Sequence, residues 1–126
     1  MERCITGRFV IITYKHMTTL SVAKDFTKIP GFRYRRQSPT TSGEQFRDEL
    51  LEPRYLEAVE SHQKLQVLLD GTNGYLTSFL EEAFGGLQRK HLNQNVLDVI
   101  EIVSDDEKHW VDDIKRYIQN ARGIRK

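Results

Sequence analysis

The chain is poor in cysteine: Cys4 is the single one among 126 residues. No intramolecular disulfide can form, and such usage fits a reducing compartment. Long apolar runs are absent too, and nothing approaches the ~20 residues that cross a bilayer. Phe9-Val10-Ile11-Ile12 is too short for the core of a secretory signal, so the expected location is the cytoplasm, with no membrane partner. Neither sign of charge is in excess: 19 Lys and Arg stand against 18 Asp and Glu, a formal net charge of +1. No global field draws in nucleic acid or an acidic partner. The cations near the end, Lys115, Arg116, Arg122, Arg125 and Lys126, come with no nucleic-acid-binding motif and complement a helix dipole. Four histidines, His16, His62, His91 and His109, are scattered without metal-ligand spacing, so no metal site is expected. No G-x-x-x-x-G-K-[ST] phosphate loop occurs. No catalytic constellation and no cofactor are expected.

What is present is an ordinary globular composition, 38% apolar and 29% charged. This length supports one domain with one core, expected over 17–122. Residues 1–16 read as an N-terminal extension or an extra edge strand built on Gly7 to Tyr14, and 123–126 as a frayed tail. Leu20, Val22 and Ala23 belong to a β-prone run ending at Asp25-Phe26. Pro30-Gly31 marks a turn. Phe32-Arg33-Tyr34-Arg35 alternates apolar with cationic, the period of a strand. Ser42-Gly43-Glu44-Gln45 forms a capping box before a helix carrying Phe46, Leu50 and Leu51. Pro53 predicts that this helix ends or kinks near Leu51, with a second piece on Tyr55, Ala58 and Val59. Leu65 to Leu69 is nearly continuously apolar, as in a strand covered on both faces. Phe79, Leu80, Ala83, Phe84 and Leu87 share one side of the next helix. Val96 to Val103 predicts a further strand. Ser104 to Glu107 reads as a second capping box, ahead of a helix with Trp110, Ile114, Tyr117, Ile118 and Ala121 on one face. Strands alternating with helices imply an α/β fold, a largely parallel sheet covered by helices.

Ligands and partners gather at the carboxyl ends of strands in such sheets. Asp70-Gly71-Thr72-Asn73-Gly74-Tyr75 is such an end, and a helix opens after it at Thr77-Ser78. The free N–H groups and partial positive charge there suit a phosphate on either hydroxyl. The plainer reading is that Thr77 or Ser78 caps the helix. A second candidate joins Arg33 and Arg35 to the helix start at Ser42-Gly43 as an anion- or nucleotide-binding site. Its plainer reading is a solvated arginine face followed by a well-capped helix. Glu81 and Glu82 diverge by about 100° on a helix and read mainly as a solvated face that can border a groove. Gly85-Gly86 predicts an early helix end or a close backbone contact.

Four ordered blocks carry a family resemblance. Val22-Ala23-Lys24-Asp25-Phe26 and Pro30-Gly31-Phe32-Arg33 are followed by Ser42-Gly43-Glu44-Gln45-Phe46-Arg47. Gly74-Tyr75 then leads to Ser78-Phe79-Leu80-Glu81-Glu82-Ala83-Phe84-Gly85-Gly86-Leu87. Over residues 20–90 the chain resembles a STAS-like family of unknown function found in bacteria, distantly similar to the STAS domains of anti-sigma factor antagonists. That resemblance implies a small mixed, largely parallel α/β domain that binds a protein and catalyses nothing. In the antagonists, a serine at a matching helix start is phosphorylated by a histidine-kinase-like (GHKL) ATPase, and phosphate there breaks the partner contact. The matching place is Thr77-Ser78, flanked by Leu76 and Phe79 where the antagonists carry an acid and a glycine. The implied partner surface comprises Asp70, Thr72, Asn73, Tyr75, Glu81 and Glu82. The other expectations are the anion-binding module of Arg33, Arg35, Ser42 and Gly43, and a structural interaction domain or homodimer.

Overall fold

The structure, a computed structural model, describes residues 17–123. The extension or edge strand expected at 1–16 and the tail residues 124–126 lie outside the described residues. Within them, three strands form one parallel sheet in the order β1 (Thr18–Ser21), β2 (Leu65–Leu68), β3 (Ile100–Val103). Leu20 pairs with Val67 and Val67 with Ile102; Thr19 pairs with Gln66 and Gln66 with Glu101. Alternation then puts Leu20, Leu65, Val67, Ile100 and Ile102 on one face, where all are buried.

Two crossovers join neighbouring parallel strands in the same direction. Right-handed connections put both helices on the same face. The first, α1, runs over 43–60 as Gly43–Phe46, a π-helical turn Arg47–Leu51, and Glu52–Glu60. The second, α2, runs over 77–90 as Thr77–Leu80, a π-helical turn Glu81–Gly85, and Gly86–Lys90. The last, α3, is His109–Ala121. Helix α2 lies between α1 and α3. The core beneath them includes Phe46, Leu51, Phe79, Phe84, Leu87, Ile114 and Ile118. Phe46 packs on Phe26, Phe79 and Phe84 at ring separations of 5.4, 5.9 and 6.4 Å.

Several expectations are corrected by where backbone groups find partners. The β-prone run stops at Ser21, and Val22–Phe26 is a π-helical turn. Ser21 Oγ accepts from Lys24 N at 3.1 Å, and Asp25 accepts from Ser21 N at 2.8 Å. Phe32 to Arg35 is loop, not strand. The Phe32 and Arg33 carbonyls accept from Gly43 and Glu44 N–H at 3.0 and 2.9 Å, at the start of α1. Pro53 does not end α1. The π turn just before it shifts the hydrogen-bond register, with Glu52 N–H reaching Arg47 O, and the helix continues to Glu60. Central β2 is covered by helices on one face only among the described residues: Gln66 and Leu68 are half-buried, and Thr19 and Glu101 beside Gln66 are exposed. Val96–Asp98 is a 3-10 turn, so β3 begins only at Ile100. The second capping box does not form: Ser104 Oγ donates to Glu107 O at 2.7 Å, and α3 starts later, after Lys108.

Candidate functional site

The carboxyl ends of all three strands and the N-termini of all three helices meet at one end of the domain. The turn after β2 is held there from both sides. Asp70 accepts from Asp105 N at 2.9 and 3.0 Å and from Asp106 N at 2.7 Å. Asn73 N donates to Lys28 O at 2.9 Å. Thr72 Oγ1 accepts from Gly74 N at 3.2 Å. Gly71 and Gly74 take φ values of 96° and 120°, where a side chain would be strained. Tyr75 OH donates to Leu69 O at 2.7 Å, and its ring meets Trp110 edge-on at 4.8 Å. Burial pushes the Tyr75 hydroxyl well above the ordinary phenol range. Asp70 and Tyr75 therefore brace the turn, while Asn73 keeps an exposed side chain.

Helix α2 opens without the expected hydroxyl cap. Leu76 occupies the N-cap position with φ −79° and ψ 146°, and no side chain caps the helix. Thr77 and Ser78 are the first two helical residues, one step too late for their oxygens to reach the N2 and N3 amides. Thr77 is exposed and Ser78 half-buried.

Glu81 and Glu82 do not form a solvated face. Arg33 Nη1 donates to Glu81 Oε1 at 2.6 Å and to Glu82 Oε1 at 3.0 Å. The widened turn at Glu81–Gly85 and the approach of Arg33 from its loop bring the two carboxylates to one nitrogen. Arg89 bonds Glu81 from about two turns along the helix at 2.6 Å. Arg47, buried to 8% exposure, bonds the Glu82 carboxylate and donates to Glu82 O at 3.2 Å. Its Nε donates to Asp48 at 3.0 Å. Three arginines thus meet three acids.

Hydrogen bonding to Glu81, acting against burial, raises the Arg33 guanidinium further. Burial works against the Arg47 charge, but bonds to Glu82 and Asp48 outweigh it and raise its pKa. Burial opposes the Glu81 charge as well, and bonds from Arg89 and Arg33 win, holding its carboxyl below the ordinary range. Together these bonds fasten the Arg33 loop and α1 to α2.

The same network corrects the anion reading. Arg33 is engaged by two carboxylates, and Arg35 pairs with Asp48 at 3.6 Å and Glu49 at 3.2 Å. Ser42 is buried and caps α1 as expected, its Oγ accepting from Gln45 N at 3.0 Å. Gln45 does not reach back to it; its Nε2 donates to Glu49 at 3.2 Å. Gly43 lies against Phe79, where a Cβ would sit 2.5 Å from the Phe79 carbonyl oxygen. The first amides of α1 are therefore taken, and no open anion cradle is left there.

Sequence reasoning missed Arg47 and Arg89, whose spacing to Glu82 and Glu81 carries no local signal for Arg47. It also missed three exposed apolar side chains at this end: Ile29 at 61%, Phe32 at 52% and Leu76 at 43% exposure. No group of three or more His, Cys, Asp or Glu among the described residues is placed to hold a metal ion. No helix among them is long and apolar enough to cross a membrane.

The family model described as a STAS-like domain of unknown function matches residues 42–110. No curated protein and no solved structure matches the chain. The matched stretch starts at the Ser42 cap and spans α1, β2, α2 with its Glu81-Glu82 and Gly85-Gly86 pairs, and β3. The chain belongs to the STAS-like domain family of unknown function.

Proposed function

We propose that this chain is a regulatory protein-binding module of the cytoplasm, acting in the manner of an anti-sigma factor antagonist and catalysing no reaction itself. Its contact surface is the turn 70–76, the start of α2 and the exposed apolar side chains beside them. The observation that carries this reading is the opening of α2. An exposed Leu76 sits at the N-cap, and the exposed Thr77 follows at a helix terminus with no capping side chain. An apolar contact residue beside an unengaged hydroxyl is a suitable place for a binding switch. Phosphate on Thr77 would be favoured by the helix dipole in the free protein. The same phosphate in a dry contact would carry a desolvation penalty and displace the partner. Thr77 suits this role better than Ser78 because its side chain is open to a kinase.

The partner chemistry that fits is a histidine-kinase-like (GHKL) ATPase, which would bind this end and phosphorylate it. The test incubates the protein with such an ATPase and ATP, and maps phosphate by mass spectrometry. The expected result is phosphate on Thr77, abolished in Thr77→Ala, with weaker binding by the phosphorylated form. Absence of phosphate at Thr77 and Ser78, together with binding indifferent to Thr77→Glu, would remove the switch.

A further inference from the structure

Three loops line the strand-end face in the order of the strands, and the balance of their exposed charges changes sign across it. An exposed Asp25 nonetheless stands among the cations of the β1 side, and an exposed Lys108 follows the acids of the β3 side. On the β1 side stand Lys24 and Lys28, with Arg36 farther along the same loop, all exposed. None of the three makes an ion pair within the described residues; Arg36 lies over the Tyr34 ring at 5.0 Å. On the β3 side stand Asp105, Asp106 and Glu107, also exposed. The backbone fixes this arrangement. Asn73 N bonds Lys28 O on one side of the β2 turn, and Asp70 bonds Asp105 and Asp106 N–H on the other. Between the two charged flanks the β2 turn ends in the exposed Leu76, and the exposed Ile29 and Phe32 follow Lys28 in the β1-side loop that Asn73 N holds against that turn.

A face that is basic at one edge, apolar in the middle and acidic at the other edge is self-complementary under a two-fold rotation. Turning a second copy by 180° about an axis through the β2 turn sets the basic edge of each copy against the acidic edge of the other. It also sets apolar centre against apolar centre. This is the requirement for an isologous interface, in which one patch serves both subunits. We infer that the strand-end face binds a second copy of this chain, with Leu76 near the two-fold axis and Lys28 facing Asp105 of the partner. The inference rests on reading this end as a binding surface, and it adds a second copy of the chain as an occupant that would compete there with the ATPase. Thr77 follows Leu76 directly, so phosphate on both copies would bring like charges together near the axis and favour the monomer.

The experiment is sedimentation equilibrium of the full chain over a concentration series, with three variants. Lys28→Glu and Asp105→Lys each place like charges against each other twice per interface, and each should weaken self-association by about tenfold or more. An equimolar mixture of the two restores both attractive contacts and should associate to within about threefold of the unmodified chain. Leu76→Asp supplies an N-cap acid to α2; it should raise the thermal midpoint while reducing association, which separates a lost contact from a lost fold. A chain that stays monomeric to about 1 mM, or a mixture no tighter than either variant alone, overturns the inference. In either of those outcomes this face is left to a different protein. Binding of monomeric Lys28→Glu to a histidine-kinase-like ATPase, measured in parallel, tells failure of self-association apart from failure of the binding reading.

Discussion

A Cβ on Gly86 would lie 2.5 Å from Nη1 of Arg47. Arg47 cannot swing aside, because it is buried and bonded to Glu82, to the Glu82 carbonyl and to Asp48. The glycine is therefore a close-approach residue inside a helix, not a helix end. Alanine is ordinarily the better helix former by about 1 kcal/mol. Here Gly86→Ala should lower stability by about 1–3 kcal/mol, the usual penalty of overpacking. Gly85 makes the internal comparison. Its Cβ would meet Glu81 Oε2 at 2.7 Å and Arg89 Nη1 at 3.3 Å, both tips of partly exposed side chains. Gly85→Ala should be the milder change in urea unfolding. The reverse order would show that Arg47 yields.

The Arg47–Glu82 pair gives a second prediction. Removing one partner of a buried pair leaves the other charge stranded, typically at a cost of about 3 kcal/mol or more. Arg47→Met should approach that loss, because Arg33 remains bonded to one oxygen of Glu82 only. Adding Glu82→Gln to Arg47→Met should return part of it. A double-mutant cycle measures the coupling, expected between 0.5 and ~3 kcal/mol for residues in one network. Additive single effects would mean that the two side chains act independently.

Acid should loosen the domain through Glu81 and Glu52. Burial raises the Glu52 carboxyl, but hydrogen bonds from Lys90 and His91 outweigh it and lower its pKa in the folded state. Glu81 is lowered in the same way by Arg89 and Arg33. A carboxylate depressed on folding is protonated more readily in the unfolded chain. Its contribution is whole above the unfolded value of about 4.3, and is lost as pH falls through that value and toward the folded one. Urea midpoints should hold from pH 7 to about 5 and then fall. Glu81→Gln should flatten that fall, and an unchanged acid slope in this variant would exclude Glu81 as a contributor.

Ordering of elements was legible in the sequence because it rests on local patterning. The apolar run at Leu65, the stripe of Phe79, Ala83 and Leu87, and the Ser42 cap each carry their own signal over a few residues. The Gly85-Gly86 pair was legible only as an early helix end or a close backbone contact; the helix runs on, and what approaches Gly86 is the Arg47 side chain. What failed depended on partners far along the chain. Phe32 to Arg35 alternates like a strand, yet its carbonyls serve the amides of Gly43 and Glu44. Glu81 and Glu82 look like a solvated pair until Arg33 arrives from 48 residues away. Pro53 is a different case, read as a helix end or kink near Leu51: the helix does not end, and its regularity breaks locally there as the π turn Arg47–Leu51. The turn after β2 was identified as the end where a site would lie, whereas the exposed apolar residues Ile29 and Phe32 came from a loop whose path has no sequence signature.

The last prediction contrasts two helix starts that look alike in sequence. Ser42 and Thr77-Ser78 each place hydroxyls before an apolar helical stripe. Ser42 Oγ accepts from Gln45 N at 3.0 Å in a fully buried setting. Its loss in Ser42→Ala strands an amide, and stability should fall by ~1 kcal/mol, up to about 2. At the other start the N-cap is Leu76, with no capping hydrogen bond from its side chain. Thr77→Ala should therefore change the urea midpoint little, within about 0.5 kcal/mol as for an ordinary surface substitution. Equal losses in the two variants would mean that Thr77 caps α2 in solution. A loss confined to Ser42→Ala would instead leave the Thr77 hydroxyl without a structural duty, which a switch at that position requires.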